Sequence, residues 1–235
     1  MAERTWHEVS AGSPMQSWRI PVIRYRGAGR GPSAYLQAAL HAEEQPGVAV
    51  LHALATGPLT NLALALQRDR EGMRKLKEIT IMGGAVRTGG NITPHAEFNV
   101  FSDPLAAKIV LESEVPITLV PLDVTHQVSL TSQWMEERVK SINNSFSKFL
   151  SEATGYRPTT HHFRNKDLVY LHDPLAVGVV IDPTLVRKER LSIHVETQEG
   201  EYLGKTSEAK EGPKAEVCLG VDARGFLELF LSRLG

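Results

Sequence analysis

The chain has 235 residues, 42% hydrophobic and 23% charged, with 26 basic against 27 acidic residues for a net charge of −1. That length and composition suit one globular domain with a sizeable core, and the near-neutral balance excludes nucleic acid or an anionic membrane as its main partner. No apolar run reaches the ~20 residues of a membrane span, and the single cysteine, Cys218 in "AEVCLGV", excludes an internal disulfide framework.

Residues 1–33 mix Gly, Pro, Ser and Arg without a sustained period, so they read as an irregular lead-in with a short strand at "WRIPVIRY". Residues 34–235 form the domain proper. The glycines of "GAGRGP" fail as a phosphate-cradling loop, because the third glycine of G-x-G-x-x-G falls on Pro32. From residue 34 the pattern turns regular. "AYLQAALHA" predicts a helix, "GVAVLHALA" a buried strand, "LTNLALALQRD" a helix, "EITIMGGA" a strand, Leu105–Leu111 a helix and "PITLVPLDVT" a strand. A helix is expected from about Thr131 to Ala153, where Met135, Val139, Ile142, Phe146 and Phe149 recur at helical spacing as a core stripe. A helix follows "LHDPLA", then "LSIHVET" and "AEVCLGV" as strands, and "GFLELFLSRL" as an amphipathic closing helix. Near-continuous apolar strands separated by helices predict an α/β fold with a mostly parallel sheet flanked by helices. Cys218 reads as a buried strand residue, which fits a reducing, cytoplasmic setting.

In such folds ligands collect at the carboxyl ends of the strands. Polar or glycine-rich segments fall there: "TGPLTN" after "VLHALA", "GGAVRTGGNITPHAEFN" after "ITIM", "HQ" after "PLDVT", and "LHD" before the later helix. Turn chemistry explains Gly83, Gly84 and Asn91, but explains Glu97 less well. In an extended "AEFN", Glu97 and Asn99 share one face and Phe98 points away. A carboxylate beside an amide suits hydroxyl recognition. Asp-Pro-Leu-Ala occurs twice, at Asp103 and Asp173. Asp103 reads mainly as a helix cap. His126 is either a satisfied loop histidine or a site-lining one, and the adjacent His161 and His162 lack helical metal-ligand spacing.

The segments "ATGPLTNLALAL", "IMGGAVRTGGNITPHAEFNVFSDPLAAKIV", "PLDVTHQV" and "LHDPLAV" resemble, in order and at sensible spacing, those of the inosine–uridine preferring nucleoside hydrolase family. The resemblance covers roughly residues 34–235. It implies cleavage of the N-glycosidic bond of a small-molecule ribonucleoside, with one bound Ca²⁺. It further implies that Asp173 is a calcium ligand touching the ribose hydroxyls, that Thr56 lends the metal a backbone carbonyl, and that Asn91, Glu97 and Asn99 hold the ribose while Met82 lines the sugar pocket. His172 matches the group that protonates a purine leaving base, a task suited to an imidazole titrating near neutrality. Asp173 is thereby expected to be a site residue that also helps start its helix.

Complete members of the family carry a D-x-D-P-x-x-D-D loop after a first strand, supplying calcium ligands and the water-activating carboxylate. This chain has no such run, since its aspartates stand singly at 69, 103, 123, 167, 173, 182 and 222. The expectation is therefore an N-terminally incomplete member lacking the first βαβ portion, with calcium binding weakened or lost and little activity. The alternative is a non-catalytic nucleoside- or ribose-binding homologue or an assembly subunit. A homo-oligomer stays open, since an uncovered sheet edge favours pairing with another chain.

Overall fold

The computed structural model describes residues 2–10, 17–25, 34–37, 52–142, 144, 147–148 and 168–233. Its strands are β1 (Ala2–Ser10), β2 (Ser17–Tyr25), β3 (Ala34–Gln37), β4 (His52–Ala55), β5 (Glu78–Met82), β6 (Ile117–Val120), β7 (Ser129–Thr131), β8 (Leu168–Tyr170), β9 (Val186–Val195), β10 (Thr206–Ala209) and β11 (Lys214–Val221). Its α-helices are α1 (Thr60–Arg68), α2 (Arg70–Met73), α3 (Phe98–Ser102), α4 (Pro104–Leu111), α5 (Leu122–Thr125), α6 (Ser132–Trp134), α7 (His172–Ile181) and α8 (Ala223–Ser232).

Seven strands form one sheet in the order β10-β9-β11-β6-β5-β4-β3. β11, β6, β5, β4 and β3 run parallel to one another, whereas β9 is antiparallel to both of its neighbours, β11 and β10. The expected α/β architecture with a mostly parallel sheet is thus present. Alternation along the strands sorts the core into two faces. Ala53, Ala55, Ile79, Ile81, Ile117, Leu119 and Val217 pack under α1 and α4, against Ala63, Leu66, Ala107 and Val110. Leu54, Met82, Val120 and Cys218 pack under α7 and α8, against Leu175, Ala176, Val179 and Phe226. Burial on both faces explains why β5 and β6 read as near-continuous apolar runs, each interrupted by one buried threonine (Thr80, Thr118), rather than as a strict apolar–polar alternation with exposed positions. Helices α7 and α8 come close because residue 178 is glycine: a Cβ there would lie 2.8 Å from the Phe226 ring. Burial also pushes the Cys218 thiol up to about 12, leaving it protonated and inert.

Three local expectations give way. Of "AYLQAALHA" the described part, "AYLQ", is β3, the last strand of the sheet among the described residues, with Ala34 to Gln37 in parallel register with His52 to Ala55, so sheet pairing overrides helical propensity there; residues 38–42 lie outside the described residues. "PLDVT" stops being a strand at Pro121, and Leu122–Thr125 forms one helical turn. The long helix from Thr131 is broken into α6, a π-turn at Met135–Val139 and a 3₁₀ turn at Lys140–Ile142. There the Asn144 side chain accepts from Ser147 N at 2.7 Å while Ser147 Oγ accepts from Asn144 N at 3.1 Å, local bonds that compete with a continuous helix. Val139 is buried as expected; the side chains of Met135, Phe146 and Phe149 lie outside the described residues. In the stretch read as a lead-in, β1 and β2 pair as an antiparallel ribbon, and β2 contains "WRIPVIRY". Among the described residues no helix is long and apolar enough to cross a membrane.

Candidate active site

β4, β5 and β6 end at the same sheet edge, and the segments that follow them build the site. After Met82 the chain turns through Gly84, whose φ of +84° only glycine adopts without strain. Asp123 then latches the outgoing loop, accepting from Val86 N at 2.8 Å and Arg87 N at 2.7 Å. The loop returns to α3, where Glu97 is the N-cap. Its Oε1 accepts from Asn99 N at 2.8 Å, and its Oε2 accepts from Gly84 N at 3.0 Å and Val100 N at 3.1 Å. Asn99 donates from Nδ2 to the Met82 carbonyl at 3.1 Å. Glu97 and Asn99 are buried and Phe98 is 52% exposed, so the expected division of faces holds, achieved by a cap rather than by a strand. Asn91 is exposed and accepts from Phe98 N at 2.9 Å through its side-chain oxygen, which sets it beside Glu97.

The other side of the site begins at α7. His172 Nδ1 lies 2.7 Å from the hydroxyl oxygen of Thr125, a residue with no exposed surface in the turn after β6. The backbone ties these parts together, since Val128 N donates to the Thr125 carbonyl and Leu171 N donates to the Val128 carbonyl, both at 3.1 Å. Around His172 stand two more rings, with His126 at a centroid distance of 5.6 Å and Tyr170 at 5.7 Å, themselves 4.7 Å apart. Asp173 is exposed, and its carboxylate makes no hydrogen bond among the described residues. The helix starts at His172 with Leu171 at the cap and no side-chain cap bond, so Asp173 does not cap the helix but lies in its first turn, where a negative charge favours the helix start.

The site works against charge. Burial, and to a lesser degree the neighbouring His126, lowers His172 to about 4, so its ring is neutral at pH 7. Burial likewise lowers His126, against the pull of Asp123. Burial raises Glu97 in spite of its three backbone donors, and the negative charge of Asp173 adds to that rise; Asp173 itself is raised by burial. The charge of Asp173 is felt at Glu97, so Asp173 and the adjacent His172 lie on the Glu97 side of the sheet, where Asn99 is tied to Met82 and Asn91 to the Phe98 backbone. Thr56 follows Ala55, the partner of Ile81, and so stands at the same edge. His161 and His162 lie outside the described residues.

Sequence reasoning left out Thr125 and Tyr170 and did not decide on His126. The ring cluster had one legible sign, a histidine directly after a strand-end motif. A lone threonine carried none.

Among the described residues no three His, Cys, Asp or Glu side chains gather as a metal site. Calcium takes six to eight oxygens, and the Asp173 carboxylate with the Thr56 carbonyl falls well short of that. The described donor set does not fit a resident calcium ion.

The family described as inosine-uridine preferring nucleoside hydrolase matches residues 23–228. The chain belongs to this family. It is 37% identical over 186 residues to the pyrimidine-specific ribonucleoside hydrolase RihA of Shewanella sp. (strain ANA-3), covering 76% of this chain and 58% of that protein. It is 34% identical to the inosine-uridine preferring nucleoside hydrolase of Leishmania major, covering 69% of this chain and 51% of that protein. Among solved structures, a plant nucleoside hydrolase aligns with a TM-score of 0.72 at 31% identity, covering 78% of this chain and 61% of that one. The purine-preferring ribonucleoside hydrolase from Gardnerella vaginalis aligns with a TM-score of 0.69 at 35% identity, covering 78% and 60%. The chain thus spans about 51–61% of the length of these relatives. Their names divide between pyrimidine and purine preference, so family membership leaves the base open.

Proposed function

We propose that this chain is built to cleave the N-glycosidic bond of a ribonucleoside with water, giving ribose and the free base. The observation that carries the reading is the pairing of a polar floor, made by Glu97, Asn99 and the uncommitted Asp173, with a ring-lined wall of His126, Tyr170 and His172. A sugar fits the first and a flat base the second. In the reaction the C1′–N bond breaks and its electron pair leaves with the base, which ends with one of the protons of the water, while the water oxygen, keeping the other proton, bonds to C1′. Asp173 accepts from the ribose hydroxyls. Glu97, with three of its roughly four acceptor positions filled by backbone, has one left for the sugar. Asn91 and Asn99 flank it, Met82 packs beneath, and His172 meets the departing base from its free ring nitrogen, Nε2.

The chemistry a bound Ca²⁺ would supply, polarising a water and the sugar hydroxyls, would require oxygens from outside the described residues, and no step here is routed through it. The single buried thiol supports placement in the cytoplasm.

A second reading, a nucleoside-binding homologue without turnover, draws on the same floor, because Glu97 is so heavily engaged in holding its own backbone. Calorimetry with inosine and uridine, alongside a ribose-release assay, separates the two. Binding with release supports the hydrolase, binding alone supports the second reading, and neither sinks both. In an active enzyme, His172→Ala should slow inosine far more than p-nitrophenyl riboside, whose leaving group needs no help. Equal losses on the two substrates would remove His172 from that role.

A further inference from the structure

The Thr125 hydroxyl is completely buried, and its only hydrogen-bond partner among the described residues is His172 Nδ1, at 2.7 Å. A hydroxyl and an imidazole nitrogen at that distance can share a proton in two ways. If Nδ1–H donates to Oγ1, the hydroxyl proton of Thr125 has no described acceptor, at a cost of about 1–3 kcal/mol for a buried unsatisfied donor. If Oγ1–H donates to Nδ1, both atoms are satisfied and the ring proton resides on Nε2. Which nitrogen of a histidine carries the proton is set by the bond the other nitrogen makes.

The surroundings make that choice rigid. Thr125 ends a helical turn held by Thr125 N donating to the Pro121 carbonyl at 3.1 Å, and the Thr125–Val128–Leu171 backbone bonds fix the spacing to α7. The flanking rings of His126 and Tyr170 leave His172 little room to turn.

We propose that Thr125 is a positioning residue that holds His172 as the Nε2–H tautomer, so that the ring presents a hydrogen-bond donor to the departing base. The inference deepens the hydrolase reading and takes its catalytic meaning from it, but the tautomer itself is a property of the chain alone. The electron pair released on the base meets an N–H already in place, whereas the other tautomer would present a lone pair and repel it. Tyr170 and His126 act on the same ring by packing; Thr125 acts by deciding where the proton sits.

The test uses the full chain with ¹⁵N-labelled histidine. Long-range ¹H–¹⁵N correlation spectra at neutral pH should show His172 with a proton on Nε2 and none on Nδ1. Thr125→Val, which keeps the shape and removes the hydroxyl, should yield a mixture of tautomers, and Thr125→Ser should restore the single form. Where nucleoside turnover is measurable, Thr125→Val should lower kcat on inosine by about tenfold or more with KM little changed, spare p-nitrophenyl riboside, and be rescued by Thr125→Ser. A proton on Nδ1 in the unmodified chain overturns the inference whether or not any variant folds. So does a valine variant whose tautomer is unchanged, or one that slows both substrates equally. If the chain turns over no nucleoside but His172 is the Nε2–H tautomer governed by residue 125, the hydrolase reading fails and the positioning role stands.

Discussion

Helices α4 and α7 both carry Asp-Pro-Leu-Ala at their start, yet the two aspartates end in different states. Asp103 stands outside its helix as the N-cap, accepting from Ala106 N at 3.0 Å and from the Thr60 hydroxyl at 2.5 Å. Asp173 stands inside its helix, because α7 already begins at His172, and its carboxyl bonds to nothing in the described chain. Proline is tolerated anywhere in a first turn, so both registers are open to the same four residues. The neighbour decides: His172 is drawn into the helix by Thr125 and the ring cluster, whereas Ser102 ends the preceding α3. A carboxylate that caps is consumed by its own backbone, and one shifted into the first turn stays available to a ligand.

Glu97 tests whether those two states exclude each other, since it caps α3 and also faces Asp173. Glu97→Ala strands three buried N–H groups and should cost about 3–5 kcal/mol, the largest effect expected here, read from the urea midpoint. Glu97→Gln keeps one acceptor oxygen and should cost less. Its pH dependence is informative as well. Burial raises Glu97 above its ordinary value of 4.5, so between those two values the native state binds more protons than the unfolded chain. The contribution of this group to stability therefore falls as pH rises through that window, and Glu97→Gln should remove the slope. A Glu97→Ala protein of unchanged stability that no longer binds nucleoside would mean that Glu97 is free like Asp173, and the contrast between caps and ligands would collapse.

Asp103→Ala comes next. Losing the cap bond to Ala106 and the tie to Thr60 should cost about 1–2 kcal/mol by denaturant unfolding, with Asp103→Asn recovering most of it. Nucleoside binding measured by calorimetry should not change. A loss of binding larger than the loss of stability would place Asp103 in the site and erase its difference from Asp173.

The fold was legible because burial writes itself into composition: β5 and β6 are apolar on both faces, and "GFLELFLSRL" carries its stripe openly. It was illegible where pairing or local side-chain bonds overrule propensity, as at "AYLQ", whose partners lie 18 residues further along the chain, and at Asn144 and Ser147. The site divides in the same way. Glu97, Asn99 and His172 were marked by unusual residue types at strand ends. Thr125 was invisible because its role depends on a distance across 47 positions of sequence, and threonine is common in any loop. The two-residue shift of helix start that separates Asp173 from Asp103 left no trace in the tetrapeptide itself.

The smallest change in stability should come from Asp173. Asp173→Asn removes a charge that makes no internal hydrogen bond, eases the repulsion felt by Glu97, and leaves the start of α7 to Leu171 and His172. Stability should stay within about 0.5 kcal/mol of the parent chain. Ribose recognition should suffer instead, because hydrogen bonds to an ionised acceptor contribute about 1.5–3 kcal/mol against about 1 for a neutral one; a several-fold to thirtyfold weakening of nucleoside binding is the corresponding expectation. The two measurements have to be read together. Unchanged stability with weakened binding marks an aspartate held ready for ligand, the opposite of the pattern expected at Asp103. If Asp173→Asn unfolds more readily than Asp103→Ala, then Asp173 is holding its helix after all, and the paired tetrapeptides are two copies of one structural device.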